Sequence, residues 1–242
     1  FDAIRFIASS GTWSPDGRRL AFVTFVEGDN EISIFDVSSQ RVVDRFRVAS
    51  VGSINNPSWS PDGTKIAFTG LKGGLSDLYV LDLASKQARQ LTNDRYADLQ
   101  PTWSPDGQTL AFVTDRGPEG TNFETLEYAE MRLGLYRLTS GQIDVIRPFG
   151  RAMHHNPQFS RDGQSLFFIS DQDGFRDVYR TDLASGEVFR VTNLQTGVSG
   201  ITSLSPAMTV ARQTGRMAFS VFSNNGYTVH TFSEAETVGT PL

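Results

Sequence analysis

The sequence predicts an all-β fold, a β-propeller built from four-stranded antiparallel blades. The pentapeptide WSPDG begins at Trp13, Trp59 and Trp103, and a variant, FSRDG, begins at Phe159. These copies are separated by 46, 44 and 56 residues, and a propeller blade typically takes ~40–45. Each copy is followed by short apolar or alternating runs bounded by Gly, Asp, Ser and Pro, such as RRLAFVTF and NEISIFDV in the first repeat. These runs are typical of strands.

The pentapeptide has the composition of a tight turn. Pro presets one backbone angle, Asp bonds back to nearby amides, and Gly adopts the positive φ that closes a hairpin. The aromatic residue before the turn supplies a large apolar surface. We therefore expect Trp13, Trp59 and Trp103 to pack between blades.

The repeats divide the chain into one propeller domain with blades near residues 11–54, 55–98, 99–153, 154–200 and 201–242. The fifth copy, LSPAMTVARQTGRMAFS, begins at Leu204 and lacks the Asp-Gly pair. Residues 1–10 are interpreted as a ring-closing strand. The number of blades, five or six, stays open, because FDAIRFIA either completes the last blade or is the remainder of a sixth.

Composition limits the functions that the chain can have. The net charge is -5, with no run of like charge, which argues against nucleic acid as a partner. No apolar stretch reaches the length of a transmembrane helix, so direct membrane insertion is not expected. The absence of cysteine excludes thiolate chemistry. Metalloprotease, phosphate-loop and nucleophile-elbow motifs are missing, so neither catalytic residues, a metal nor a cofactor is predicted.

Two departures from the repeat are candidate binding sites. Polar residues precede the aromatic position in successive blades, and equivalent positions share one end of the ring. A partner-binding mouth of the central channel is predicted from Asn55, Asn56, Asp98, Gln100, His154, His155 and Asn156. Bonding to loop backbone and channel water is an equally weighted alternative.

The second departure is in blade 3, where the connection is 13 residues longer than its equivalent in blade 4. Its segment TNFETLEYAEM favours one or two helical turns, since a capping residue precedes glutamates. Insertions on repeat scaffolds often lie on the binding face. Phe123 and Tyr128 are therefore predicted partner contacts, with folding back onto blade 3 as the alternative.

The segments PSWSPDGTKIAFTG and SDLYVLDLASKQARQLT, with PTWSPDGQTLAFVTD and the copy near residue 157, resemble the repeat of TolB-type β-propellers. The resemblance spans nearly all of residues 11–233. It implies a bacterial envelope protein, periplasmic, that associates with membrane-anchored or membrane-embedded proteins.

Three hypotheses for function follow. The first is a noncatalytic protein-binding or scaffold propeller that docks on a membrane-associated complex. The alternative is the propeller of a larger exported peptidase, which orients or filters polypeptide substrate. Hydrolytic or lyase chemistry at His154 and His155 is a third hypothesis, and it would need a metal or a paired acid.

Overall fold

The computed structural model describes residues 3–4, 9–48, 51–202 and 204–242. Within them the protein forms five antiparallel sheets arranged as the blades of a propeller, which confirms the predicted fold class. The strands of blades 1 and 2 are β1 (Ala3–Ile4), β2 (Thr12–Trp13), β3 (Arg19–Val26), β4 (Asp29–Asp36), β5 (Arg41–Arg47), β6 (Ser53–Trp59), β7 (Lys65–Lys72), β8 (Leu75–Asp82) and β9 (Ala88–Gln90). Those of blades 3 and 4 are β10 (Asp98–Trp103), β11 (Thr109–Thr114), β12 (Arg132–Arg137), β13 (Ile143–Ile146), β14 (His154–Phe159), β15 (Ser165–Ser170), β16 (Asp177–Asp182) and β17 (Val188–Arg190). The remaining strands are β18 (Met208–Val210), β19 (Met217–Ser223), β20 (Gly226–Phe232) and β21 (Thr240–Pro241).

Neighbouring blades share their apolar cores. The innermost strands contact one another in chain order, from β2 to β6, β10, β14 and β18. Trp59 of blade 2 packs in a cluster with Val23 and Ile34 of blade 1. Trp103 of blade 3 packs in the same way with Ala67 and Val80 of blade 2. The expectation of interblade tryptophans is confirmed for these two residues, which are 2% and 4% exposed.

The four motif turns have one hydrogen-bonding pattern, illustrated by blade 3. The Ser104 hydroxyl donates to Asp106 at 2.5 Å and accepts the Thr109 amide at 2.9 Å. Asp106 also accepts the Gln108 amide at 3.0 Å, and these bonds to Ser104 and Gln108 lower the pKa of its carboxyl group. Gly107 has a φ of 71°. A Cβ there would lie 3.3 Å from Pro61 of blade 2, so glycine serves both the turn and the packing of blades.

The fifth repeat begins later than its sequence indicates. Val210 pairs with Met217, as Phe159 pairs with Leu166 in blade 4. The motif position is therefore Val210, and the alignment that began the repeat at Leu204 is wrong. The Ser205-Pro206 pair that produced it lies just before the inner strand, two residues ahead of Ala207-Met208, which are the residues equivalent to Asn156-Pro157. The turn at residues 211–216 instead closes with a bond from the Gly215 amide to the Ala211 carbonyl.

The two ends of the chain pair with blades 1 and 4. Most of the predicted ring-closing strand, residues 1, 2 and 5–8, lies outside the described residues, but Ala3–Ile4 pairs with β3 of blade 1. After β20 the chain forms a 3-10 helix (Glu234–Thr237) and returns to blade 4, where β21 pairs with β17. Blade 5 therefore has three strands among the described residues. In that part of the chain, no helix has the length and hydrophobicity needed to cross a bilayer.

Candidate functional site

Polar side chains from blades 2, 3 and 4 line the central channel, a cavity of about 850 Å³. Asn56, Gln100 and Asn156 occupy equivalent positions, each at a shift in the pairing of the innermost strand with the next strand. Their φ angles are 51°, 54° and 53°, in the left-handed region that Asn tolerates better than most residues. The bulge turns these three residues toward the channel, as the sequence predicted for the mouth.

Gln100 and Asn156 use their side chains to connect blades 3, 4 and 5. Gln100 accepts the Asn156 amide and donates to the Leu204 carbonyl, both at 2.6 Å. The Asn156 side-chain oxygen accepts the amides of Ala207 at 2.7 Å and Met208 at 2.8 Å. Because all three blades meet through these amides, their main role in the structure is to hold the inner strands together.

Asp98 does not line the channel. It is fully buried in β10, where its carboxylate accepts hydrogen bonds from Arg116 at 2.5 Å and Thr114 at 2.8 Å. Arg116 also bonds Asp94 at 2.9 Å and lies over the ring of Tyr96. Burial raises the pKa of the Asp98 carboxyl, although the bonds to Arg116 and Thr114 oppose this. The cluster attaches the loop before β10 to the loop after β11.

His154 and His155 are also buried, at 0% and 2% exposure. The His154 ring stacks on Phe149, and its Nδ1 lies 3.1 Å from the Met131 carbonyl oxygen, so this nitrogen carries the proton. Burial lowers the pKa of His154 to about 4 and that of His155 to about 3. Both rings are therefore neutral at pH 7, and neither faces the channel.

The insertion of blade 3 is anchored by Arg132 at the first position of β12. The same position is Asp77 in blade 2 and Asp177 in blade 4. Arg132 is 4% exposed and donates to the carbonyls of Pro118 and Glu119, both at 2.6 Å. At this position blade 3 has arginine where blades 2 and 4 have aspartate. A hydrogen-bond acceptor is thus replaced by a donor, which binds backbone carbonyls of the insertion.

The helical turns predicted for the insertion are wrong. Asn122 and Glu127 exchange backbone hydrogen bonds of 2.8 and 3.1 Å, which closes a short loop. The Asn122 side chain accepts the amides of Glu124 and Thr125 at 2.9 and 3.2 Å. Asn competes for backbone amides in this way, and it thereby favours a turn over a helix. Thr121 holds the base of the loop through Asp115.

The two aromatic residues predicted as partner contacts lie in different surroundings. Phe123 is half-buried and contacts Tyr96 edge to face, with ring centroids 5.2 Å apart. Tyr128 is 78% exposed, and Leu126, which the sequence reasoning did not select, is 66% exposed. Phe123 therefore fixes the loop to the blade while Leu126 and Tyr128 extend into solvent.

The predicted residues thus separate into three groups. Asn56, Gln100 and Asn156 meet at the channel, Asp98, His154 and His155 are buried within blades, and Phe123 and Tyr128 belong to the insertion. Arg132 was missed, although a signal existed, since the repeat has Asp at its position in two other blades. Among the described residues, no His, Asp and Glu side chains form a group of three that could hold a metal ion.

Comparison with known proteins identifies the family. A model of the TolB beta propeller domain matches residues 4–125, half of the chain. The chain belongs to the TolB β-propeller domain family. None of the curated proteins matches the chain in sequence.

Solved structures resemble this TolB-like propeller across nearly its full length. TolB from Acinetobacter baumannii is 22% identical, with a TM-score of 0.68 over 94% of this chain and 52% of that protein. A putative TolB from Agrobacterium tumefaciens is 19% identical, with a TM-score of 0.72 over 96% of this chain and 79% of that one. A prolyl endopeptidase is 14% identical, with a TM-score of 0.62 over 100% of this chain and 35% of the enzyme. The chain spans about half the length of the Acinetobacter protein, and at these identities the likeness shows the fold alone.

Proposed function

We propose that this TolB-like propeller is a noncatalytic protein-binding scaffold of the bacterial cell envelope, and that its partner docks on the insertion of blade 3. The observation that carries the proposal is an anchored loop with an exposed apolar tip. Arg132, Thr121 and Phe123 fix the base, whereas Leu126 and Tyr128 are 66% and 78% exposed. A loop ordered before binding loses less conformational entropy on association, and tyrosine is a frequent binding hot spot.

The charges around the tip indicate the chemistry of the partner. Glu124, Glu127 and Glu130 are exposed beside Leu126 and Tyr128. A complementary surface has an apolar groove for the two side chains and basic residues at its rim. Membership of the TolB β-propeller domain family supports a periplasmic location for this chain and a partner anchored or embedded in a membrane.

The channel mouth supports the proposal less well than the insertion. Asp98, His154 and His155 are buried, and Gln100 and Asn156 use their amide groups to join blades. Partner binding at the mouth would have to use the outer channel residues, such as the exposed Arg212. We therefore assign Phe123 a supporting role and place the principal contact at Leu126 and Tyr128.

The test isolates the tip from the fold. A partner copurified from a mild detergent extract of envelope membranes is identified, purified and titrated against the wild type and the double variant Leu126→Ser, Tyr128→Ser. We expect affinity to fall at least tenfold, about 1.4 kcal/mol. Phe175→Ser is the matched control, because Phe175 is 55% exposed in the equivalent connection of blade 4. Unchanged affinity of the double variant would refute docking on the insertion.

The alternative, a propeller that orients polypeptide substrate for a peptidase, is favoured by one finding. The likeness to the prolyl endopeptidase covers all of this chain but only 35% of that enzyme. Sequencing the intact gene separates the two functions. A hydrolase domain encoded in frame beside the propeller would support the alternative. A gene that encodes no hydrolase domain would support the proposal.

A further inference from the structure

The outer edges of blades 1 to 4 are protected against pairing with another strand. The outer strand of blade 1, β5, carries Arg41, Asp44, Arg45 and Arg47, and its pairing with β4 is shifted by a bulge. In blades 2 and 3 the outer strands β9 and β13 have only three and four residues. In blade 4, β17 is covered by β21. Charge, irregularity, shortness and cover are the usual protections of edge strands.

As far as the described residues go, the outer strand of blade 5 has none of these protections. β20 is seven residues long, GYTVHTF, with no charged residue and no proline. It pairs with β19 without a register shift, from Met217 opposite Phe232 to Ser223 opposite Gly226. The side chains from Tyr227 to Thr231 are exposed, Val229 at 73%. In the described part of the chain, no strand pairs with its outer side.

The described ends of the chain are already paired elsewhere. β21 pairs with Phe189 and Arg190 of blade 4. β1 pairs with Thr24 and Phe25 of blade 1. The described residues therefore leave no other strand of this chain to cover β20.

We propose that β20 pairs antiparallel with β20 of a second copy of the chain, with Val229 opposite Val229 of that copy. The two blades would then form one six-stranded sheet across a two-fold axis. The strand is self-complementary in this register. Apart from the central pair of Val229 residues, each facing pair places an aromatic ring against a small side chain or glycine. The facing pairs are Thr228 with His230, Tyr227 with Thr231, and Gly226 with Phe232. An aromatic residue opposite glycine and rings opposite β-branched residues are favourable cross-strand pairs.

Analytical ultracentrifugation tests whether the dimer exists and uses this edge. The 242-residue chain is expected to sediment as a dimer at high concentration and to dissociate on dilution. Val229→Lys places two ammonium groups opposite each other and should give a monomer at the same concentrations. Since Val229 is exposed, circular dichroism of the variant should match the wild type. Val43→Lys is the matched control, because Val43 is 49% exposed on the outer strand of blade 1, and this variant should remain dimeric.

A cysteine cross-link tests the register. The chain has no cysteine, so Val229→Cys introduces a single thiol. Directly opposed residues have Cα atoms about 4.5–5.5 Å apart, within reach of a disulfide. Mild oxidation should convert Val229→Cys to a covalent dimer and leave Val43→Cys monomeric. A monomeric wild type, a dimer that survives Val229→Lys, or failure of Val229→Cys to cross-link would each overturn the proposal.

Discussion

Trp13 and Trp59 begin the same pentapeptide but have different surroundings. Both are followed by the same turn, in which Ser14 bonds Asp16 and Ser60 bonds Asp62, each at 2.6 Å. Trp59 is 2% exposed and donates its indole N–H to the Gly63 carbonyl at 3.0 Å. Trp13 is 55% exposed, so the expectation that it packs between blades is wrong. The turn is encoded locally, whereas burial of the aromatic residue depends on the blade before it.

The difference arises at the junction of blades 5 and 1. Trp59 packs against blade 1, which precedes it in the ring, but the channel cavity extends between Trp13 and the face of blade 5 that includes Ala218 and Val229. The equivalent of Ala218 in blade 2, Ala67, is fully buried under Trp103. Blades 1 and 5 approach through a bond of 3.4 Å from Gln213 to the Pro15 carbonyl. Among the residues that the structure describes, this junction is therefore a seam with less apolar packing than the others.

The largest effect that the comparison predicts is at Trp59. Trp59→Ala removes a buried indole from the core shared by blades 1 and 2, and we expect the free energy of unfolding to fall by ~3–5 kcal/mol. Urea unfolding followed by circular dichroism measures the loss. A loss below ~1 kcal/mol would show that the buried tryptophan does not hold the two blades together.

A smaller effect concerns pH and the buried junction of blades 3 and 4. The pKa of His154 is lowered to about 4 by burial, below the ~6.5 of an unfolded chain, so the unfolded state binds more protons between these values. Stability contributed by the neutral ring is full above pH 6.5 and is lost as the pH falls toward 4. We expect the fall in the free energy of unfolding between pH 7 and pH 4 to be ~2–3 kcal/mol smaller in His154→Phe than in the wild type.

The measurement compares denaturant unfolding of wild type and His154→Phe from pH 7 to pH 4. Phe suits the site because the histidine ring already stacks on Phe149, and the Met131 carbonyl keeps its bond from the His154 amide. Asp98, whose pKa is raised, contributes with the opposite sign in both proteins and cancels in the difference. Parallel pH profiles of the two proteins would contradict a neutral buried ring.

Sequence reasoning succeeded where structure depends on neighbours along the chain. The strands and motif turns of blades 1 to 4 follow from alternation and from the Ser and Asp-Gly residues that the four motifs share, whose hydrogen bonds act within six residues. The fifth repeat was misaligned because Ser205-Pro206 repeats two letters of the motif while the actual turn has neither Pro nor Asp. Its register is set by pairing with β19, which a local pattern does not contain.

The candidate site was harder to predict because burial decides which polar residues are accessible. Asn56, Gln100 and Asn156 share the position three residues before the motif aromatic, and all three line the channel, while their predicted role as partner contacts stays a prediction. Asp98, two residues before Gln100, and His155, next to Asn156, are buried within blades, since side chains alternate along a strand and a bulge changes the alternation. For the insertion, helix-favouring glutamates were outweighed by the Asn122 side chain, whose bonds to backbone amides close a turn. These contacts and the anchor at Arg132 together place the tip of the insertion, Leu126 and Tyr128, in solvent.

The smallest effect is expected at Trp13, and it tests the seam directly. Trp13→Ala should lower the free energy of unfolding by less than ~1 kcal/mol, because a half-exposed side chain loses little burial when truncated. Ser14→Ala and Ser60→Ala are the controls for the shared turn, and they should cost similar amounts, ~1 kcal/mol each, since both lose the same hydrogen bonds. If the two serine variants lose equal free energies of unfolding and the two tryptophan variants lose unequal ones, the stabilisation by the turn is local and that by the tryptophan comes from contact between blades. A Trp13→Ala loss as large as that of Trp59→Ala would mean that blades 1 and 5 close on each other in solution, and the seam would then be an ordinary blade junction.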